Sequence, residues 1–304
     1  MKNILFLKPH LVYEMWGSNK LKNYNIDIGD APDVGEAWVI SAVKDKSSVI
    51  LNGEYKGQTL YDVFIKHKEL FDNFNGDTYP IVAKILDVNQ NLSVNVPQSD
   101  GEDKANKTGK KKFWYILETK PNSSIVYGHN AKTKDELNEL IHNDKWEELL
   151  KSKQVKAGDY VYVPGGCVHA FNEGIILYSL EQVAGQEFKM YNYNRDLFFD
   201  NYKLDVEDSI KHVKIPFDEP TIPTKNDILI EGDKSKVVKI ANTKKTTYDF
   251  PDARWIQATV IDGKGKLDDN YEISKGISFI ITSPLQSFTL DGNITILISY
   301  LKKQ

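Results

Sequence analysis

A histidine at a sharp corner of a predicted strand is the first residue of this sequence that could do chemistry. The stretch from Val155 to Gly174 contains a Gly-Asp pair, alternating aromatic and β-branched residues, and a Pro-Gly-Gly tripeptide before His169. This pattern predicts a turn, a strand and a corner. In a small β-barrel, such a corner directs the imidazole into the barrel mouth, where it could bind a metal or a polar ligand. The alternative is a core histidine that is satisfied by a backbone carbonyl.

Two charged residues lie inside apolar stretches that predict strands. Glu36 alternates with Trp38 and Ile40, so its carboxylate shares a strand face with two large apolar side chains. Lys84 interrupts an otherwise nearly continuous apolar run over residues 79–87. A buried ammonium is unfavourable unless it is paired or binds an anion, so we treat both residues as site candidates. The alternatives are an edge-strand charge for Glu36 and a lysine that reaches solvent from a strand end for Lys84.

Two amphipathic helices are predicted among the strands, from Thr59 to Phe71 and from Thr133 to Lys151. Each begins at a threonine with an acidic residue three positions later, which is typical of a capped helix N-terminus. The second helix has one apolar stripe, which must be covered by a sheet or another helix. We therefore expect it to pack outside a barrel.

The second half of the chain predicts another barrel. From Val237 onward, short apolar strands are separated by glycine turns, which is typical of a jelly roll. The preceding segment is rich in Asp, Lys and Pro and reads as a linker. The sequence thus predicts a first barrel with a helical insert and the candidate site at residues 1–195, a crossover linker at 196–236, and a C-terminal barrel at 237–304.

Composition excludes several classes of protein. The chain has 304 residues and 40% hydrophobic content, enough for one large domain or two ordinary ones. With 39 Lys+Arg against 43 Asp+Glu, it has no global basic field to attract nucleic acid or an anionic membrane. The single cysteine, Cys167, excludes an intramolecular disulfide and is more typical of a buried filler than of a nucleophile. No long apolar run suggests a signal peptide or membrane span, so we predict a cytoplasmic protein.

Seven blocks in order along the chain carry a family resemblance: Met15-Trp16-Gly17 and residues 35–41, 83–87, 113–117, 127–133, 155–174 and 191–195. They resemble the short-form class I mannose-6-phosphate isomerase (phosphomannose isomerase) family of the cupin superfamily, over nearly the whole chain. The resemblance implies an all-β double cupin, two jelly-roll barrels, with a helical insert. It also implies a zinc-dependent interconversion of mannose 6-phosphate and fructose 6-phosphate.

The zinc ligands implied by the resemblance fall on Asn95, Pro97, Lys112 and His169. Where the family has Gln-Val-His-Pro, this chain has Asn-Val-Pro-Gln beginning at Asn95, and Lys112 takes the place of a glutamate. Only His169 is retained. Zinc needs three or four Cys, His or carboxylate ligands. Zinc is therefore expected from the family but predicted weak or absent here, unless the loop from Gln98 to Asp103 supplies substitute ligands.

The resemblance also implies four catalytic positions. Glu36 and Lys84 are retained, the family arginine thought to assist proton transfer falls on Lys189, and Arg195 is present. We expect Glu36 and Lys84 to converge on one pocket with the metal position.

Two functions from different classes follow from these residues. As an enzyme, the site would use a metal or another cation to polarise the substrate oxygens at C1 and C2, a base to move a proton through an enediol, and Lys or Arg to bind phosphate. As a non-catalytic sugar-phosphate-binding or regulatory pseudoenzyme, it would keep the pocket and lose the chemistry; the charge of Lys112, which repels a dication, favours this reading. Both imply a sugar-phosphate partner such as mannose 6-phosphate, and no nucleic acid or membrane partner. The sequence does not indicate an oligomeric state.

Overall fold

Strands dominate the part of the chain that the structure, a computed structural model, describes: residues 4–30, 33–101, 109–183, 185–195, 203–222, 227–232, 234–283 and 287–303. This confirms the predicted all-β fold. No helix within these ranges is long and apolar enough to cross a membrane.

The strands and helices are numbered in chain order. The strands are β1 (Ile4–Lys8), β2 (His10–Ser18), β3 (Val34–Ile40), β4 (Val49–Ile50), β5 (Ile81–Val88), β6 (Val94–Pro97), β7 (Lys112–Thr119), β8 (Ser124–His129), β9 (Leu150–Gln154), β10 (Tyr160–Val163), β11 (His169–Phe171), β12 (Ile175–Gln182), β13 (Glu187–Tyr191), β14 (Ile228–Glu231), β15 (Ser235–Asn242), β16 (Thr246–Asp249), β17 (Ile256–Leu267), β18 (Tyr271–Ser274), β19 (Ser278–Ile281) and β20 (Ser287–Leu301). The helices are α1 (Leu60–Lys66), α2 (Lys134–His142), α3 (Trp146–Leu149) and α4 (Val206–His212).

The chain forms two compact units whose segments alternate along the sequence. The first unit contains Met1–Val12, Asn19–Lys84 and Ile222–Gln304, and the second contains Tyr13–Ser18 and Ile85–Thr221. The sequence-based division at residues 195 and 236 stays a prediction, because compactness alone does not test where a barrel begins and ends.

The first unit is organised by an antiparallel sheet in the order β14, β15, β20, β17, β19, β1, β4, with β16 beside β20 and β18 beside β17. Alternate residues of β17, among them Ile256, Ala258 and Val260, enter its core, as the period of two in a strand requires. The turn before β19 needs glycine at Gly276. Its φ is +91°, and a Cβ there would lie 1.6 Å from the carbonyl oxygen of Tyr24.

The second unit contains a sheet in the order β13, β6, β11, β8, β9, and a second run of paired strands, β10, β7 and β12. Leu137 and Ile141 of α2 share one buried cluster with Val94, Val126 and Val168 of the five-stranded sheet or its adjoining corner. The apolar stripe of this helix is therefore covered by the sheet, as predicted. This five-stranded sheet carries most of the candidate site.

The predicted helix boundaries were partly wrong. The helix predicted from Thr133 to Lys151 ends at His142, and α3 follows before the chain turns into β9. Asp144 adopts a φ of +56°, a left-handed conformation that an α-helix cannot continue through. The helix predicted from Thr59 to Phe71 likewise ends at Lys66 and is followed by a 3-10 turn. Both threonine caps form as predicted.

Candidate active site

The candidate site is built on one face of the five-stranded sheet. In the register, Asn95 of β6 lies directly opposite His169 of β11 on one side and Lys189 of β13 on the other. Pro97 lies opposite Glu187 in the same way. Residues opposite one another, and residues two apart on one strand, point to the same face. Three of the family's zinc-ligand positions are therefore brought together with Lys189 and Glu187.

A charged cluster forms where β7, β11 and β13 begin. The Lys112 ammonium contacts the Glu187 carboxylate directly and lies 3.2 Å from His169 Nε2. Glu187 Oε1 is 3.0 Å from the same imidazole nitrogen, and Lys110 Nζ is 4.0 Å from Glu187 Oε2. The side chains of Lys112, His169 and Glu187 are 8%, 3% and 22% exposed. Lys112 and His169, two of the four residues predicted to converge, are therefore in contact within the second unit.

Sequence reasoning missed Glu187, which is the anion of this cluster. A signal was available, since Glu187 stands two residues before Lys189 and must share its strand face. Glu181 of β12 was also missed. It is buried, lies opposite Lys112 in the register, and accepts a hydrogen bond from Ser179 Oγ at 3.1 Å.

The tautomer of His169 follows from its neighbours. Nδ1 lies 3.0 Å from the carbonyl oxygen of Cys167, which can only accept, so Nδ1 carries the hydrogen. In the neutral ring, Nε2 then presents a lone pair, which accepts a hydrogen bond from Lys112, whereas Glu187 Oε1, 3.0 Å from the same nitrogen, can accept from it only when the ring is protonated. The carbonyl contact is the one expected of a core histidine, whereas the Lys112 contact occupies the nitrogen that would bind a metal. The interpretation of His169 as a core histidine therefore describes Nδ1, and a ligand-binding role for Nε2 stays a prediction.

The protonation states follow from burial and from the Lys112 charge. Burial lowers the pKa of His169, and the neighbouring ammonium lowers it further. Burial alone would raise the pKa of Glu187, but Lys112, the largest opposing influence, helps to hold that pKa well below its usual range. At neutral pH the cluster therefore contains a neutral imidazole and an ionised carboxylate. Burial also raises the pKa of the Cys167 thiol, which fits the predicted buried filler rather than a nucleophile.

Glu36 and Lys84 form a separate buried pair in the first unit. Lys84 Nζ lies 3.6 Å from Glu36 Oε2, and the two side chains are 9% and 18% exposed. The same ammonium lies 4.2 Å from the centre of the Trp38 ring, whose Nε1 donates to Glu36 at 2.5 Å. The alternatives of an edge-strand charge and a solvent-reaching lysine do not describe these contacts. Convergence of this pair with Lys112 and His169 stays a prediction.

The two remaining catalytic candidates lie at different positions. Lys189 is half-buried in β13 on the face that carries Asn95. Arg195 follows the end of β13, where its Nε donates to the carbonyl oxygen of Asn192 at 2.8 Å and its guanidinium lies 5.4 Å from the centre of the Tyr193 ring. Lys189 is thus close to the cluster in register, and Arg195 is tied to its own turn. Their catalytic roles stay predictions.

The donor set of the cluster does not fit a zinc ion as it stands. Pro97 has no donor atom, and the Lys112 ammonium takes the imidazole lone pair and one carboxylate oxygen. Asn95 Oδ1 is buried without a hydrogen-bond partner in the described ranges, but a neutral amide oxygen does not complete a zinc shell. Within the same ranges, no three His, Cys, Asp or Glu side chains are grouped to hold a metal.

The loop proposed to supply substitute ligands is engaged elsewhere where it is described. Gln98 Oε1 accepts a hydrogen bond from the Gln186 backbone at 2.9 Å, and Asp100 pairs with Lys111 at 3.0 Å. Residues 102 and 103 of this loop lie outside the described residues. The described part of the loop therefore does not add a zinc ligand to the donor set of the cluster.

Comparison with known proteins supports the same family over both halves of the chain. Residues 5–125 match the model "Phosphomannose isomerase type I, catalytic domain", and residues 236–301 match "Mannose-6-phosphate isomerase, cupin domain". The mannose-6-phosphate isomerase ManA of Bacillus subtilis is 31% identical over 318 residues, which cover 98% of each chain. The mannose-6-phosphate isomerase of Streptococcus mutans is 31% identical over 316 residues and 99% of each chain.

Solved structures agree on the fold. The crystal structure of the mannose 6-phosphate isomerase from Bacillus subtilis matches with a TM-score of 0.89 and 29% identity, covering 98% of this chain and 100% of that one. A mannose 6-phosphate isomerase bound with zinc and yttrium matches with a TM-score of 0.78, at 12% identity, over 99% of this chain and 100% of that one. The double cupin architecture is thereby confirmed, and the chain belongs to the type I mannose-6-phosphate isomerase family.

Proposed function

We propose that this chain binds a hexose 6-phosphate and interconverts mannose 6-phosphate and fructose 6-phosphate. Its similarity to enzymes of that name along its whole length supports the substrate and the reaction. The observation that carries the proposal is the cluster of Lys112, Glu187 and His169, in which a cation and a carboxylate contact an imidazole at a position that the resemblance assigns to the site.

These groups match what an aldose–ketose isomerisation requires. The reaction moves a proton between C2 and C1 of the open-chain sugar, and negative charge develops on the neighbouring oxygens. The Lys112 ammonium stabilises that charge, and Glu187 and His169 are the bases beside it. Lys84 and Lys189 are the cations that we assign to the phosphate or hydroxyl groups of the substrate. The catalytic roles of Glu36 and Arg195 rest on the family resemblance.

Zinc binds weakly or not at all in this proposal, although a relative is known with zinc bound. The Lys112 ammonium contacts His169 Nε2 and Glu187 Oε1. Its charge repels a dication, and it occupies two atoms that could otherwise bind the metal. No catalytic step assigned above uses a metal. The cytoplasmic location stays a prediction from the sequence.

One observation favours a second candidate, a sugar-phosphate-binding or regulatory protein without catalysis. Lys112 contacts both the lone pair of His169 and the carboxylate of Glu187, so both bases are held in hydrogen bonds before a substrate arrives. A base in such contacts is a weaker proton acceptor. This candidate predicts binding without turnover.

A paired assay separates the two candidates. We expect the purified chain to convert mannose 6-phosphate to fructose 6-phosphate in a coupled assay, and to bind fructose 6-phosphate in a calorimetric titration. Free mannose, which lacks the phosphate, is the matched control and is expected to do neither. Binding without conversion supports the second candidate and contradicts the first, and the absence of both contradicts the two together.

A further inference from the structure

We propose that the Lys112 ammonium is the resident cation of this site, in the place where the family's zinc ion is expected, and that Glu187 is the positioning residue that holds it there. The inference rests on the proposed function only for the identity of the ligand. The contacts that support it lie between residues of this chain and do not depend on which ligand binds.

The first support is the geometry around Lys112. An ammonium has three N–H donors, and the described residues account for two of them, at Glu187 Oε1 and His169 Nε2. In the proposal, the remaining donor is the one that a ligand oxygen accepts from. Because both acceptors are held within strands, β13 and β11, the ammonium is fixed in position although lysine is a flexible residue.

The second support is the unmatched acceptor on the same sheet face. Asn95 Oδ1 is buried and has no hydrogen-bond partner in the described part of the chain, and Asn95 lies opposite His169 in the register. A sugar hydroxyl both donates and accepts, so it can donate to Asn95 and accept from Lys112. A hydroxyl or a carbonyl hydrate of a sugar therefore suits this face better than a bare metal ion does.

The third support is charge. The carboxylate of Glu187 contacts Lys112 directly and lies 4.0 Å from Lys110, so its charge is already matched by cations of the protein without a metal. A dication next to the ammonium would be repelled twice as strongly as a single charge at the same distance. Removing the Lys112 ammonium alone would leave the imidazole lone pair and the amide oxygen of Asn95 unmatched, beside a carboxylate whose remaining cationic partner is Lys110 at 4.0 Å. These three donors constitute a latent metal site.

Calorimetric titration with zinc chloride tests the inference. We expect Lys112→Met to bind zinc about tenfold tighter than the wild type or more, because it exposes an imidazole and a carboxylate as ligands. Lys111→Met is the matched control. It removes a neighbouring lysine that pairs with Asp100 instead, and it should leave zinc affinity unchanged.

The role of Glu187 is tested in the Lys112→Met background. Adding Glu187→Gln should abolish the gained zinc affinity, whereas adding Glu187→Asp should retain part of it, a rescue that a purely structural role would not produce. A folded Lys112→Met protein with no gain overturns the inference. So does a wild-type chain that takes up one zinc ion tightly, whether or not the variant folds. Failure of the proposed function would instead appear as absent turnover, which leaves the zinc titration unaffected.

Discussion

Lys112→Met is expected to lower the free energy of unfolding by about 3 kcal/mol, the low end of the range for breaking a buried ion pair. The reason is the carboxylate left behind, since Glu187 is mostly buried and would keep only the more distant Lys110 as a cationic partner. Glu187→Gln should also lower the free energy of unfolding, because it leaves the buried Lys112 ammonium with one neutral partner. Urea unfolding at neutral pH measures both.

The double variant is the informative control. Lys112→Met with Glu187→Gln leaves no buried charge unpaired, so it should be more stable than either single variant by at least ~1 kcal/mol. Lys153→Met, at an exposed ion pair with Glu219, should change stability by less than about 1 kcal/mol. Additive effects of the two single changes would contradict the assignment of Lys112 and Glu187 as a coupled pair.

Lys84→Met is expected to reduce kcat/KM for mannose 6-phosphate by roughly 10- to 100-fold, which corresponds to one lost hydrogen bond to a charged ligand group. The fold should survive, because Glu36 keeps its hydrogen bond from Trp38 when the ammonium is removed. Steady-state kinetics and a thermal melt on the same preparation measure the two effects separately.

Lys46→Met is the matched control for this variant. Lys46 also lies over the Trp38 ring, at 4.8 Å from its centre, but it has no ion pair with Glu36 among the contacts of the described residues. Its replacement should leave kcat/KM nearly unchanged. Equal losses in the two variants would show that the Trp38 contact, rather than a site role of Lys84, is responsible.

The strands and the corner of the site could be predicted because their signals are local. Glycine and proline mark the turns before His169, and alternation places Glu36 on the strand face of Trp38 and Ile40, so short windows of sequence suffice. The end of α2 could not be predicted in this way. An apolar stripe continues past Asp144, and only the left-handed backbone at that residue shows where the helix stops.

The residues of the charged cluster could not be predicted from short windows of sequence. Lys112, His169 and Glu187 come from three strands far apart in sequence, and the register that joins them depends on how β6 pairs with both β11 and β13. The resemblance located the first two because they occupy family positions. Glu187 occupies no position that the resemblance marks, so its role as the partner of Lys112 became visible only from the distances.

Zinc content measured beside activity tests the central claim most directly. The protein would be purified without chelator or metal-affinity tag, analysed for zinc, and assayed for conversion of mannose 6-phosphate before and after dialysis against a chelator. The account predicts far less than one zinc ion per chain and the same rate before and after dialysis, because Lys112 supplies the cation. One zinc ion per chain, with a rate that falls on chelation and returns when zinc is restored, would contradict it.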